Sequence, residues 1–257
     1  MTSRLGKADL HIHSVASDGT ATADEILRFV EERTDLAVIA ITDHERIDAA
    51  VHAQELARER GYRVQVVVGE EITTRSGHLV GLFLKEKVRP FRSLRSTIIE
   101  IHEQGGLAIP AHPLPPYPLC IRRRAIESIV ADPDPLVYLD GLETFNSSTA
   151  GRTHHAPAAE LAARLELAAI GGSDAHHVTL IGTCWTTFPG TTAEDLRRAI
   201  EERRTHAHGS FVGLPVEAWV YTHQVRKYLR DIRDDLRRVV LRRGRGRDLG
   251  IGEGRSS

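Results

Sequence analysis

The stretch ADLHIH at residues 8–13 alternates apolar and polar side chains, which predicts a β-strand. In a strand, Asp9, His11 and His13 point to one face, and the leucine and isoleucine between them point into the apolar layer behind. Two imidazoles on one face of a rigid strand can hold a metal ion, and Asp9 is placed to orient one of the rings. The alternative is a half-exposed strand with ordinary polar residues. Similar groups at the ends of later strands would favour the metal site.

The chain has 257 residues, which suits one α/β barrel or two small domains. Its 41% hydrophobic and 27% charged residues are typical of a globular protein with a sizeable core. The net charge of -1 gives no overall attraction to nucleic acid or to an anionic membrane. No apolar run is long enough to span a bilayer and no signal-peptide core follows Met1, so no membrane partner is expected. Two cysteines outside any CxxC pair favour a cytoplasmic setting.

Apolar runs and amphipathic segments alternate along residues 1–214. The continuous apolar run 36–41 predicts a parallel strand covered on both faces. The spacing over 23–33 predicts a helix, capped by Thr20 or Thr22. About seven such β-then-α units indicate a closed parallel barrel in a single domain. Further strands are expected at 63–68, 77–84, 107–111, 140–146, 168–171 and 181–188, and further helices at 47–60, 93–104, 157–165 and 192–203.

Histidines and carboxylates follow nearly every one of these strands. In a parallel barrel the carboxyl ends of the strands converge on one face, where active sites are built. Imidazole and carboxylate ligands without thiolates suit Zn, Mn or Fe, and they exceed the needs of one ion. We therefore expect a cluster of divalent ions. The candidate ligands are His11, His13, Asp18, His44, Glu71, His112, Glu143, Asp174 and His176.

Seven motifs occur in a specific order along the chain. They are DLHIH with SDG at 9–19, ITDH at 41–44, GEEI at 69–72, GHLVGL at 77–82, AHP at 111–113, GLETFN at 141–146 and GSDAH at 172–176. Together they resemble the PHP (polymerase and histidinol phosphatase) family of metal-dependent phosphoesterases, over about residues 7–209. The resemblance implies a distorted (β/α)7 barrel, with two to three divalent ions (Mn, Zn or Fe) that activate a water molecule to hydrolyse a phosphoester.

The resemblance also divides the ligands among three ions, with Glu71 bridging the first and the second. By position, the first ion takes His11, His13, Glu71 and Asp174; the second takes Glu71 and His112, with Glu143 preferred over His154 or His155 as its further ligand; and the third takes Asp18, His44 and His176. Glu70, next to the bridging carboxylate, is expected at the surface or behind the ligands.

Hydrolysis of a phosphoester also needs a proton for the leaving alkoxide and cations for the phosphate. His78, on a neighbouring strand, or His176 could supply the proton. Arginine binds phosphate bidentately, although loop arginines are often merely solvated. The candidate substrate-binding arginines are Arg122, Arg123, Arg124 and Arg152. The expected partner is a small phosphorylated metabolite, a nucleotide or a short oligonucleotide, and the oligomeric state stays open.

Two other functions compete with this interpretation. Metal-dependent amidohydrolases share the His-x-His opening, but their binuclear form commonly needs a carboxylated lysine, for which only Lys85 is near the right place. A non-catalytic, metal-binding PHP module is the second alternative. Such modules often lose ligands, and this chain retains them. Both alternatives therefore rank below phosphoester hydrolysis.

The composition changes after residue 214. A helical extension is expected over 215–243, and a Gly- and Arg-rich, disordered tail over 244–257. Between Arg226 and Arg247 there are ten basic and three acidic residues, a balance of +7. Such a run is usually a solvated helix face, and the alternative is docking on nucleic acid or an acidic partner.

The basic segment leads to the first prediction. If it binds nucleic acid, truncation after Glu217 weakens oligonucleotide binding and reduces its salt dependence, because each phosphate contact releases counterions. Fluorescence anisotropy with a labelled oligonucleotide at several salt concentrations measures both quantities. Identical binding by the full and the truncated chain would identify the segment as a solvated helix.

Overall fold

A computed structural model of the protein describes residues 4–211 and Thr222. Strands β1 to β9 span Leu5–Ile12, Val38–Ile41, Gln65–Thr74, Gly77–Leu82, Leu107–Pro110, Gly141–Asn146, Ala168–Gly172, Cys184–Pro189 and His206–Gly209. Helices α1 to α7 span Ala23–Arg33, Asp48–Glu59, Leu94–Glu103, Arg123–Val130, Thr149–Arg152, His155–Arg164 and Ala193–Glu201. The basic helix predicted over 215–243 and the tail predicted over 244–257 lie outside the described residues.

The strands form a mixed sheet rather than the uniformly parallel one expected. Seven strands follow the order β5-β4-β3-β2-β1-β8-β9, and β6 and β7 form a parallel pair. Strands β1, β2 and β3 are parallel, whereas β4 is antiparallel to both of its neighbours and β8 is antiparallel to β1 and β9. The reason lies in the connection: only Arg75 and Ser76 separate β3 from β4, and a two-residue turn joins antiparallel strands only.

Backbone hydrogen bonds join the β6–β7 pair to the larger sheet on both sides. The N–H of His13 donates to the carbonyl of Ala175 at 2.9 Å, just beyond the ends of β1 and β7. The N–H of Asp140, just before β6, donates to the carbonyl of Ala108 in β5 at 3.1 Å. The sheet is therefore curled, and the polar residues at the carboxyl ends of its strands face one another.

Apolar side chains cover both faces of the strands. All four residues of β2 are buried, as predicted for a covered parallel strand. Val38 and Ala40 pack in a cluster of strand residues and α7, and Ile39 and Ile41 pack in a second cluster that includes α1, α2 and α3. The predicted helix α1 has the predicted bounds, and Thr22 caps it by accepting a hydrogen bond from the N–H of Glu25. Local sequence and packing agree here.

The first strand departs from simple alternation. Its pairing with β2 is irregular between Asp9 and Ile12, which marks a bulge. Leu10 packs in the first cluster and Ile12 in the second, so the expectation that they share one apolar layer is wrong. A bulge redirects the side chains that follow it. The rings of His11 and His13 nevertheless lie close together, with centroids 5.1 Å apart.

Two short elements were not predicted, β9 and α5. The sequence of β9, HAHG, carries no hydrophobic alternation, and its side chains are exposed or half-buried along the edge of the sheet. Helix α5 has only four residues. Elements this short and weakly patterned cannot be recognised from the hydrophobic periodicity of the sequence. Among the described residues, no helix is both long enough and apolar enough to cross a membrane.

A histidine fastens the end of α3 to the segment before β6. Nδ1 of His102 donates to the carbonyl of Leu136 at 2.8 Å, and Nε2 lies 3.0 Å from a carboxylate oxygen of Asp140. A carbonyl and a carboxylate both accept, so the ring carries two protons and is cationic. Burial lowers the pKa of His102, but the hydrogen bonds to Asp140 and Leu136 outweigh it and raise the pKa above 6.5.

The protonated ring of His102 makes the free energy of unfolding depend on pH. Because the pKa of His102 is raised on folding, its contribution is complete below about pH 6.5 and is lost as the pH rises through the folded value. We expect His102→Gln to lower the free energy of unfolding by about 1–3 kcal/mol at pH 6, and by less at pH 9. Urea unfolding across this pH range measures it.

The matched control is His52→Gln, which alters an exposed histidine on α2. We expect His52→Gln to have nearly the same free energy of unfolding as the wild type at either pH. If the free energies of unfolding of His102→Gln and the wild type differed by the same amount from pH 6 to pH 9, a cationic His102 would be contradicted.

Candidate metal centre

Four side chains on or just after β1, β3 and β7 converge on one point, three of them buried and that of Asp174 partly buried. Nε2 of His11 and Nε2 of His13 each lie 3.2 Å from Oε2 of Glu71. The same nitrogens lie 3.5 and 3.2 Å from Oδ1 of Asp174. Both nitrogens are buried, and neither has a hydrogen-bond partner among the described residues. Two orphaned imidazole nitrogens between two carboxylates fit a divalent cation.

The other oxygen of Glu71 faces a second group of donors. Oε1 lies 2.7 Å from Nδ1 of His78 and 3.1 Å from Nε2 of His112. His78 pairs with Thr73 across β3 and β4, two residues from Glu71, so its side chain lies on the same face. The antiparallel strand thus supplies a donor that sequence reasoning had considered only as a proton donor. The two oxygens of Glu71 face different groups, as a bridging carboxylate requires.

A third group lies around Asp18, in the turn after β1. Oδ2 of Asp18 is 3.0 Å from Nε2 of His176 and 3.7 Å from Nε2 of His44. Oδ1 of Asp18 is 3.4 Å from Nδ1 of His13. These four side chains present ligand atoms within 4.8 Å of one another. The structure thus brings Asp18, His44 and His176 together, as the sequence suggested.

Glu143 lies between two of these groups and holds both in place. Its Oε1 accepts a hydrogen bond from Nδ1 of His11 at 3.0 Å, which leaves Nε2 of that ring for a metal. Its Oε2 accepts from the backbone N–H of His112 at 2.5 Å and from Nδ2 of Asn146 at 2.8 Å. Both oxygens therefore have partners within the protein, and the carboxylate orients the rings that face Glu71.

The tautomer of His176 is set in a similar way. Its Nδ1 lies 2.9 Å from the backbone carbonyl of Asp174 and must donate to it, because a carbonyl only accepts. Nε2, which lies 3.0 Å from Oδ2 of Asp18, is then the ring nitrogen left for a metal ion. Asp174 itself has a positive φ of 55°, and its carbonyl lies beside the ring. The local backbone thus prepares His176 as a ligand.

The acidic and basic members of the cluster shift the pKa values of one another. Burial lowers the pKa of His13, but the nearby carboxylates of Asp174, Glu71 and Asp18 outweigh it and raise the pKa to about 10. Burial alone would raise the pKa of Glu71, yet the surrounding histidines hold it well below its usual range. Without metal, the carboxylates are ionised and His13 is protonated. A metal ion must displace such protons, so metal affinity falls as the pH falls.

Asp9 does not orient a histidine ring, contrary to the expectation from the sequence. Its buried carboxylate accepts hydrogen bonds from the N–H and Oγ of Ser173, at 2.9 and 2.6 Å, and from the N–H of Gly182 at 2.8 Å. Burial raises the pKa of Asp9 to about 6. Its role in the structure is to hold the segment that carries Asp174.

Glu70 was expected at the surface or behind the ligands, and its burial excludes the surface. It is fully buried on the opposite face of β3, and its Oε2 accepts from the N–H of Val88 at 2.8 Å. Burial raises the pKa of Glu70 to about 7. Strict alternation along β3 explains why this residue points away from the cluster while its neighbour Glu71 points into it.

Several other candidates lie apart from the donor groups. His155 packs against the ring of Phe145, with centroids 5.2 Å apart, and Nδ1 of His154 contacts Oγ1 of Thr153. Neither histidine belongs to a donor group found among residues 4–211. Lys85 is exposed in the loop after β4, which offers no support for a carboxylated lysine between metals.

The candidate arginines lie on two helices, α4 and α5. Arg122, Arg123 and Arg124 are exposed at the start of α4. The preceding loop is anchored beside the second group, since the N–H of His78 donates to the carbonyl of Leu119 at 2.7 Å. Arg152, on α5, stacks over the ring of Phe211 at 5.2 Å.

Comparison with known proteins places these features in a family. Residues 9–130 match the family model of the PHP domain, and residues 152–205 match that of the PHP-associated region. An uncharacterized protein of Methanocaldococcus jannaschii is 40% identical over 152 residues, which cover 55% of this chain and 82% of that protein. A phosphoribosyl 1,2-cyclic phosphate 1,2-diphosphodiesterase of Eggerthella lenta is 32% identical over 105 residues, 38% of this chain and 39% of that one.

A solved structure supports the same fold. It is a two-domain protein from Bacteroides vulgatus that contains a predicted PHP-like metal-dependent phosphoesterase. It matches with a TM-score of 0.66 and 21% identity, over 80% of this chain and 65% of that one. At this identity, the match shows the similarity of the fold.

The central position of Glu71 leads to a prediction about metal content. Glu71→Gln should bind fewer divalent ions per chain, with affinity for those of the first two groups lowered by about 10–100-fold, because an amide cannot bridge as a carboxylate does. Elemental analysis after dialysis against Mn²⁺ measures the ion content, and circular dichroism checks the fold.

Glu70→Gln is the matched control on the neighbouring residue. The pKa of Glu70 is about 7, so the amide resembles its protonated form, and the ion content should equal that of the wild type. If Glu71→Gln bound as many ions per chain as Glu70→Gln and the wild type, Glu71 would be ruled out as a ligand.

Proposed function

The chain belongs to the PHP family, and we propose that it hydrolyses a phosphoester at the histidine and carboxylate cluster. The observation that carries the proposal is the pair of buried, unpartnered nitrogens of His11 and His13 facing Glu71 and Asp174. Divalent ions bound there would lower the pKa of a water molecule and neutralise charge on the phosphoryl oxygens. The donor set of imidazoles and carboxylates suits Mn, Zn or Fe.

We assign the donors to three ions, with Glu71 shared by the first two. The first group is His11, His13, Glu71 and Asp174; the second is Glu71, His78 and His112; the third is Asp18, His44 and His176. This assignment moves the further ligand of the second ion from Glu143 to His78. Its support is the distance of 2.7 Å between Nδ1 of His78 and Glu71, whereas both oxygens of Glu143 are engaged elsewhere.

The assignment also changes the roles proposed for two histidines. A nitrogen that holds a metal ion cannot also carry a proton to the leaving alkoxide. Nε2 of His176 faces Asp18, and its other nitrogen donates to a backbone carbonyl. We therefore propose His78 and His176 as ligands. The half-exposed side chain of Asp18 leaves the third group open to solvent, from which the leaving group can take its proton.

The proposed substrate is a small phosphorylated metabolite, a nucleotide or a short oligonucleotide. The name of the Eggerthella lenta relative, a diphosphodiesterase acting on a cyclic phosphate, supports phosphoester chemistry. Exposed Arg122, Arg123 and Arg124, beside the loop anchored to His78, are proposed to contact the phosphate, and Arg152 is a further candidate. Binding of nucleic acid by the basic segment after residue 214 stays a separate proposal.

A substrate panel tests the proposal. Mn²⁺-loaded protein is assayed with phosphomonoesters, nucleotides, cyclic phosphodiesters, short oligonucleotides and amide substrates. We expect phosphate release from at least one ester, and His11→Ala and Asp174→Ala should each reduce turnover by at least about 100-fold because each removes a ligand of the first ion. Activity should fall below about pH 6, where protons compete with metal for the imidazoles.

Lys85→Ala is the control, because the exposed lysine lies outside the donor groups. Replacing Arg122, Arg123 and Arg124 at the start of α4 should raise KM at least tenfold, which corresponds to about 1.4 kcal/mol of binding free energy. Hydrolysis of amides alone, with loss of activity in Lys85→Ala, would move the protein to the amidohydrolase class. Near-normal turnover in His11→Ala with full metal content would overturn the site.

A further inference from the structure

A buried carboxylate, Asp43, lies directly before His44 and makes its contacts with the turn after β1. Its residue is only 1% exposed. Oδ1 accepts from the N–H of Ser14 at 2.7 Å and from Oγ of Ser17 at 2.5 Å, and Oδ2 accepts from Oγ of Ser14 at 2.5 Å. All three donors are neutral groups of one turn. A buried carboxylate persists only when it is well hydrogen-bonded, so this turn and Asp43 stabilise each other.

The same turn carries the carboxylate of the third donor group. Asp18 follows Ser17 directly and belongs to neither a strand nor a helix. Its side chain is 48% exposed, in contrast to 10% for Asp174 of the first group. Regular hydrogen bonding within a strand therefore does not position Asp18. On this side the bonds to Asp43 tie the turn, together with one longer bond of 3.4 Å from the Arg46 guanidinium to the carbonyl of Ala16.

Asp43 also adjoins the histidine that Asp18 faces. His44 is the next residue, and its Nε2 lies 3.7 Å from Oδ2 of Asp18. Asp43 thus adjoins both partners of this contact. It is joined to His44 through the backbone, and it holds the turn that carries Asp18 through Ser14 and Ser17. A shift of the turn away from Asp43 would separate Asp18 from His44 while leaving the first donor group in place.

Ser17 extends the connection to the first strand. Its hydroxyl donates to Asp43 at 2.5 Å, so its oxygen can accept from Nδ1 of His13, which lies 3.5 Å away. Oδ1 of Asp18 lies 3.4 Å from the same nitrogen and is the stronger acceptor, so Nε2 of His13 can face Glu71 without the help of Ser17. The role of Ser17 is therefore to hold the turn rather than to orient the ring of His13.

We propose that Asp43 is the positioning residue for the third metal ion, acting through Ser14 and Ser17 on the place of Asp18. The inference rests on the proposed metal-dependent function and adds to it a residue outside the ligand set. Asp43 touches neither the substrate nor an ion. Its removal therefore changes the affinity of one ion in particular rather than the chemistry of the whole cluster.

Calorimetric titration of Mn²⁺ into metal-free full-length protein tests the proposal. The wild type should bind three ions. Asp43→Asn keeps the size but removes the charge and places an amide donor against the serine donors, so one ion should bind at least tenfold more weakly, with the other two unchanged. Elemental analysis at limiting Mn²⁺ should then give one ion fewer per chain.

Asp140→Asn is the matched control, since Asp140 accepts from the N–H of Ala108 and faces His102, away from the cluster. It should lower stability and leave all three affinities unchanged. If Asp43 served folding only, Asp43→Asn would also lower stability and leave all three ion affinities unchanged. That result overturns the proposal.

Two variants of Ser17 keep the test decisive if Asp43→Asn fails to fold. Ser17→Ala should weaken the same ion, and Ser17→Thr, which retains the hydroxyl, should restore it. Wild-type affinities in Ser17→Ala would overturn the proposal. A wild type that binds two ions or fewer would instead contradict the three-ion assignment on which the proposal rests, so the two failures are distinguishable.

Discussion

The burial of Glu71 among histidines is the constraint on which the rest of the structure depends. A carboxylate removed from water costs several kcal/mol unless opposite charge or hydrogen bonds compensate it. Five imidazole nitrogens lie within 3.5 Å of its two oxygens, three at Oε2 and two at Oε1. No single strand can supply so many, so the sheet must curl until strand ends from distant parts of the chain meet. Protons balance the charge in the metal-free protein, and metal ions would replace them.

Two departures from regular structure accompany this convergence. The bulge in β1 places Leu10 and Ile12 in different apolar clusters, while His11 and His13 still both reach Glu71. The direct turn from β3 to β4 reverses the chain, so that His78 lies beside the acidic residue it faces. A crossover helix at this point would have carried the chain to the start of a parallel strand, one sheet length away from the cluster.

Much of the fold and of the ligand set can be read from the sequence, for identifiable reasons. Helix α1 has an amphipathic pattern and a Thr22 cap, and the histidines follow apolar runs that can only be buried strands. Hydrophobic periodicity has no direction, however, so it could not show that β4 runs antiparallel. It also could not show that the opposite face of β3 is covered, which is why the surface stayed open as a place for Glu70, whereas the residue lies buried against Val88.

The cluster has more carboxylates than its donor groups use, and the surplus has a physical reason. The ligands lie at strand ends and turns, where the backbone has left the hydrogen-bond ladder and cannot hold a side chain within the tolerance of metal coordination. Asp9, Asp43 and Glu143 each accept at least three hydrogen bonds from such segments. With those acceptor sites filled they are poor competitors for an ion. Where they are ionised, their charges still favour cations through the low-dielectric interior, so the same groups both place the ligands and strengthen the attraction for metal.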